Sequence, residues 1–237
     1  MVQHRFLILL ILLGSMLVVH PLAMQSGPAH VLLRVLITAV VAVAMWNIFR
    51  TPRTRTIALV LGAPVIAAHW ACDALPALSQ TAVPFAFNLV AFLFLAYAVI
   101  TILRAVYLES SLSREAIYGA LCGFLLIGAA FGHLFYCADW LAPADFRQEA
   151  GATANMSDER HKQALFMYFS FAALTGMSDP DLTPRAAAGR SLILVESVLG
   201  QFYVIVVISE LISLRIARVA PPEPAPGQLF ARSGSPV

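Results

Sequence analysis

A chain of 237 residues that is 60% hydrophobic and only 12% charged, with formal charge +2, lies outside the range of soluble domains and inside that of polytopic membrane proteins. This composition, with a mean hydropathy of +0.81, excludes a soluble enzyme. The small charge, spread in short clusters between apolar segments, excludes a nucleic-acid partner. Cys72, Cys122 and Cys137 show no CxxC or metal-ligand spacing, so packing roles are expected, with no metal site and no cofactor.

Apolar runs predict spans at Phe6 to Val19, Val31 to Ile48, Ile57 to Cys72, Val83 to Leu103, Ala116 to Phe135 and Ser191 to Leu214. The expected fold class is therefore an all-α membrane protein of about six transmembrane helices. The first run, with His4 and Arg5 ahead of it and small residues near Ala23, also has the form of a signal peptide. A retained helix is the reading adopted. Arg50, Arg53 and Arg55 lie between spans two and three, Arg104 and Arg114 flank the link between spans four and five, and Arg215 and Arg218 follow the last span. By the positive-inside rule these ends are cytoplasmic, so both termini are expected inside and the segment from Ala138 to Gly189 outside. Span four carries no Lys or Arg before Arg104, which leaves it without the gating charges of a voltage sensor.

His69 and Asp73, at i and i+4, share a helix face near the end of span three and read as an interfacial pair. His133 on span five reads as a packed imidazole. Gly119, Gly123, Gly128 and Gly132 on the same span predict close approach of a neighbouring helix. After Arg218 the composition turns to proline and small residues, expected to be a disordered cytoplasmic tail.

The segment before the last span is the most informative. His161 to Leu174 suits a helix of about 14 residues, which at ~1.5 Å per residue reaches only ~21 Å of the ~30 Å hydrocarbon core. It is expected to enter the membrane and turn back. The turn that follows, Thr175-Gly176-Met177-Ser178-Asp179-Pro180-Asp181, cannot be helical, and irregular backbone at that depth is tolerated only inside protein or along a wet cavity. A short helix, a polar turn and a full span make the plan of a pore loop.

YFSF at Tyr168 to Phe171, Leu174-Thr175, Asp181, Thr183-Pro184, Gly189-Arg190-Ser191, and Glu196 with Gly200-Gln201 in VESVLGQFYV stand in one frame. With IYGAL at Ile117 to Leu121, that frame resembles the pore domain of bacterial potassium channels across roughly Ile117 to Leu214. With the apolar runs and the tail composition, the resemblance divides the chain into a four-helix membrane region over 1–112, a potassium-channel-like pore domain over 113–218 and a tail over 219–237. It further implies a homotetramer in a bacterial inner membrane, contacting lipid and cations, with Thr175 to Asp181 as selectivity filter. Gly200 would be an inner-helix hinge and Gln201 a cavity residue, with Tyr168 and Glu196 supporting the filter.

The filter departs from the family. Ser178 and Pro180 stand where TVGYG has its two glycines, and proline fixes φ and restricts the residue before it. The stacked carbonyls that replace the hydration shell of potassium are then hard to build. Four copies would instead gather up to eight carboxylates from Asp179 and Asp181 around one mouth, next to the carbonyl end of the pore helix near Leu174. The expected activity is passive, weakly selective or divalent-sensitive flux of potassium, sodium or calcium. A non-conducting relative, acting as a structural or regulatory membrane subunit, is the alternative. Asp179 and Asp181 also admit a plain exposed turn, Gly200 plain helix packing, Gln201 a bond to a neighbouring helix, and Glu196 a protonated or hydrogen-bonded carboxyl behind the pore helix, bonded to Tyr168 or Thr175. An enzyme is not expected, since His69, His133 and Glu196 show no catalytic spacing.

Overall fold

The computed structural model describes residues 5–23, 27–48, 52–74, 82–108, 114–142, 146–148, 159–177 and 182–219. These form seven helices and one short ribbon in the order α1 (Arg5–Ala23), α2 (Gly27–Ile48), α3 (Pro52–Ala74), α4 (Val83–Leu108), α5 (Arg114–Leu141), β1 (Phe146–Gln148), α6 (Glu159–Thr175), β2 (Leu182–Pro184) and α7 (Ala187–Val219). The described residues are almost entirely helical. Four helices are long and apolar enough to cross a membrane, over Pro52–Ala71, Val83–Val106, Glu115–Leu141 and Ala187–Val207, while Phe6–His20 and Val31–Trp46 are apolar but shorter.

Local chemistry accounts for several boundaries. Pro52 opens α3 at the position where a missing N–H costs nothing and a fixed φ suits the helix. This draws Arg53 and Arg55, expected in the loop before span three, into the first turn of α3. Glu115 lies in the first turn of α5, where a carboxylate complements the helix dipole. Its Oε2 accepts the Phe6 N–H at 3.2 Å, one of the donors that the start of α1 leaves without a helical partner. The Cys122 thiol lies 3.3 Å from the Phe6 carbonyl. The starts of α1 and α5 are thus tied together.

One core joins α1 through α5, with Leu9, Phe94, Ala98, Ile102 and Leu126 buried at its centre. A second, aromatic core lies where α5 ends and α6 begins. Phe135 meets Phe169 at 5.2 Å between ring centroids, and Phe146 on β1 meets Phe166 at 5.1 Å. Leu182 of β2 is buried in the same cluster. The strands pair antiparallel, Phe146 opposite Pro184, Arg147 opposite Thr183 and Gln148 opposite Leu182. The ribbon therefore ties the segment after α5 to the segment before α7.

The glycines of α5 work as close-approach positions. A Cβ at Gly132 would stand 3.1 Å from the Met167 Cα, and one at Gly128 would stand 2.6 Å from the Phe171 ring. Both are contacts with α6, and a larger residue at either position would force α6 or its side chains to shift. Cys122 and Cys137 are buried free thiols, in keeping with packing; the side chain of Cys72 lies outside the described residues. The tail after Val219 lies outside them as well.

Candidate functional site

α6 is the element around which the candidate site is built. Its 17 residues extend about 26 Å at 1.5 Å per residue, short of a full crossing. The ion pair between Lys162 Nζ and Asp139 Oδ2, 2.7 Å long, fixes its first turns to the end of α5, with the lysine also 5.0 Å from the Tyr136 ring. At its other end, Gly176 adopts φ +77°. Met177 N–H donates to Ala172 O at 2.8 Å and Gly176 N–H to Ala173 O at 3.1 Å. This is a Schellman cap, and its left-handed position strongly favours glycine.

α7 packs against this short helix through polar groups and one missing side chain. Ser197 Oγ donates to Ala173 O at 2.9 Å. Glu196, fully buried, has its Oε1 2.5 Å from Ser170 Oγ, and Ser170 Oγ is also 2.6 Å from Gly128 O of α5. Gly200 faces the end of α6 so closely that a Cβ would collide with the Leu174 carbonyl oxygen. One turn further on, Tyr203 OH donates to Ala120 O of α5 at 2.5 Å. The same serine, glutamate and glycine positions therefore hold three helices together.

The residues singled out from the sequence fall into three groups. Thr175, Gly176 and Met177 are exposed at the tip of α6, and Gln201 is beside them: a Cβ on Gly176 would lie 3.6 Å from Gln201 Nε2. Glu196 and Gly200 are buried behind that tip. Ser178, Asp179, Pro180 and Asp181 lie outside the described residues. The expected bond from Glu196 to Tyr168 or Thr175 is replaced by the one to Ser170. Tyr168 is two residues from Ser170, about 200° around the helix, and more than half exposed. Thr175 turns its hydroxyl back to Phe171 O at 2.8 Å. α7 runs through Gly200 without interruption, and the glycine there is a close-approach position.

A second polar group lies between α3, α4, α5 and α6. Asn88 Nδ2 donates to Pro84 O at 2.8 Å, which aims Asn88 Oδ1 at His133 Nδ1, 2.7 Å away. Gln163 Nε2 is 3.3 Å from the same nitrogen. His69 stacks on Phe87 with centroids 6.1 Å apart, and Phe87 meets the His133 ring edge-on at 5.9 Å. Arg34 Nη2 donates to the His69 carbonyl at 3.2 Å, and Arg34 Cζ lies 4.4 Å from the Trp70 ring centroid. Among the described residues no three His, Cys, Asp or Glu side chains are grouped to hold a metal. The side chain of Asp73 lies outside the described residues.

Ser170, Asn88, Gln163 and the Lys162–Asp139 pair were not singled out from the sequence. Only the last had a signal, two opposite charges bordering the apolar run and the short helix. Comparison of the chain with protein-family models, curated proteins and solved structures gives no match.

Proposed function

We propose that the protein is a cation channel of bacterial inner membranes, assembled as a homotetramer around a pore lined by the tips of α6 and by α7. One observation carries this reading: a helix too short to cross is seated between two long ones, with its carbonyl end capped at Gly176, and in the sequence Asp179 and Asp181 follow that cap directly. Carbonyl ends and carboxylates both attract cations. Supporting it, α7 leaves Leu194, Val198, Phe202 and Ile205 exposed, a face available to lipid and to further copies of the chain. α1 and α2, helices of 19 and 22 residues with shorter apolar stretches at Phe6–His20 and Val31–Trp46, would be the remaining two of six spans. With both termini cytoplasmic, α6 would enter from the outside.

The expected flux is passive and weakly selective among potassium, sodium and calcium, because Ser178 and Pro180 stand in place of filter glycines. Purified protein in a planar bilayer, with each cation gradient imposed in turn, tests it. Discrete currents whose reversal follows the cations are expected, and Asp179→Asn with Asp181→Asn should weaken the cation preference. The Schellman cap favours a second reading. It folds the chain back tightly where the resembled family has the first filter residue, which suits a non-conducting structural or regulatory subunit. Silence from demonstrably folded tetramers would establish that reading instead.

A further inference from the structure

Glu196, Ser170 and Gly128 present a problem of hydrogen counting. Ser170 Oγ is 2.6 Å from Gly128 O and 2.5 Å from Glu196 Oε1. A serine hydroxyl carries one hydrogen, and a backbone carbonyl carries none. If that hydrogen went to a carboxylate, two oxygens would face each other at 2.6 Å with nothing between them. If it goes to Gly128 O, the contact with Glu196 needs a hydrogen from the glutamate. Only a carboxylic acid satisfies both contacts.

The surroundings agree. Ser170 and Glu196 are both fully buried, and Glu196 Oε2 has no hydrogen-bond partner among the described residues. An ionised carboxylate, which seeks several donors, would be left with none besides Ser170. Charged and titratable groups described on the three helices have partners or positions elsewhere. On α5, Glu115 meets Phe6 N–H, His133 meets Asn88 and Asp139 meets Lys162 of α6. On α7, Arg190 Nε donates to Pro184 O and Tyr203 to Ala120 O. Tyr168 of α6 is on the exposed side.

We propose that this junction is a proton-binding site: Glu196 is held as the neutral acid and donates to Ser170 Oγ, which donates to Gly128 O, so that one bound proton completes a relay from α7 through α6 to α5. The site couples a proton to the seating of α6. On its release the carboxylate takes the serine hydrogen for itself, Gly128 O loses its donor, and α6 loses this bond to α5. The assignment does not depend on whether the protein conducts.

Infrared spectroscopy of the full chain in lipid at neutral pH tests it. The spectrum should contain the C=O stretch of a protonated carboxyl, lost in Glu196→Gln and moved to higher frequency in Ser170→Ala, where its hydrogen-bond acceptor is gone. Glu196→Gln should keep the thermal stability of the parent, because its amide N–H can donate to Ser170 in place of the acid. Absence of the band, or its survival in Glu196→Gln, overturns the proposal. Should Glu196→Gln fail to fold, the Ser170→Ala spectrum decides: a shifted band supports the site and an unshifted one refutes it.

Discussion

α5 and α7 are both long apolar helices, yet α5 is mostly buried and α7 mostly bare. α5 touches α1, α4, α6 and α7, and its glycines admit Met167 and Phe171 of α6 at contact distances smaller than a Cβ allows. α7 is held on one side only, by Glu196, Ser197, Gly200 and Tyr203, and exposes Leu194, Val198, Phe202 and Ile205 on the others. The means of attachment also differ. Apolar side chains join α1 through α5, whereas α6 is fixed to its neighbours by polar contacts and an absent side chain in addition to the aromatic cluster. In a bilayer this matters, because lipid is as apolar as leucine, so close packing and hydrogen bonds are the terms that separate helix contact from lipid contact. The α5–α7 junction should therefore be sensitive to small changes that the N-terminal bundle tolerates.

The largest expected effect is at the start of α6. Lys162→Met removes the counter-charge of Asp139, whose side chain is 7% exposed. Breaking a buried pair from one side costs about 3 kcal/mol, much of it the uncompensated charge left behind. Chemical denaturation in detergent should show that loss, with Lys162→Arg largely restoring stability. An unchanged denaturation midpoint for Lys162→Met would mean that the aromatic cluster alone holds this end of α6.

At the other end of α6, Gly200→Ala puts a methyl group against the Leu174 carbonyl oxygen. A backbone atom cannot swing aside, so α7 must shift outward, at a cost of roughly 1–3 kcal/mol. The same variant separates close packing from hinge bending. A packing glycine loses stability when replaced, whereas a hinge loses gating with the fold intact.

Much of this contrast was legible in the sequence, and its limits have physical causes. The short helix was expected from His161 to Leu174 and is found from Glu159 to Thr175, because apolar composition bounded by polar residues fixes a helix to within a turn. The α5 glycines announced close approach, since a residue with no side chain is costly in a helix unless the space is used. The partner of Glu196 was not legible. It depends on how α6 is rotated about its axis, and a serine within YFSFAAL carries no periodic signal of its own. The β1–β2 ribbon was missed for a related reason: FRQ and LTP are too short to show alternation, and their pairing is set by Phe146 and Leu182 entering the same aromatic cluster. The bond between Asn88 and His133 spans 45 positions in the chain, and only packing brings the two together.

The smallest expected effect has the opposite sign. Gly14 lies within α1, and a Cβ built there meets nothing within 4 Å. Glycine in a helix interior is less favourable than alanine by about 1 kcal/mol, through the backbone freedom it loses on folding. With open space around it, Gly14→Ala gains that term and meets no obstruction, so stability should rise by up to about 1 kcal/mol. One substitution, Gly to Ala, thus stabilises the N-terminal bundle and destabilises the α6–α7 junction. Thermal melts of the two variants side by side measure the difference. A loss at Gly14 would mean that the open face of α1 is covered in the assembled protein, by a second copy of the chain packed as closely there as α7 is against Leu174.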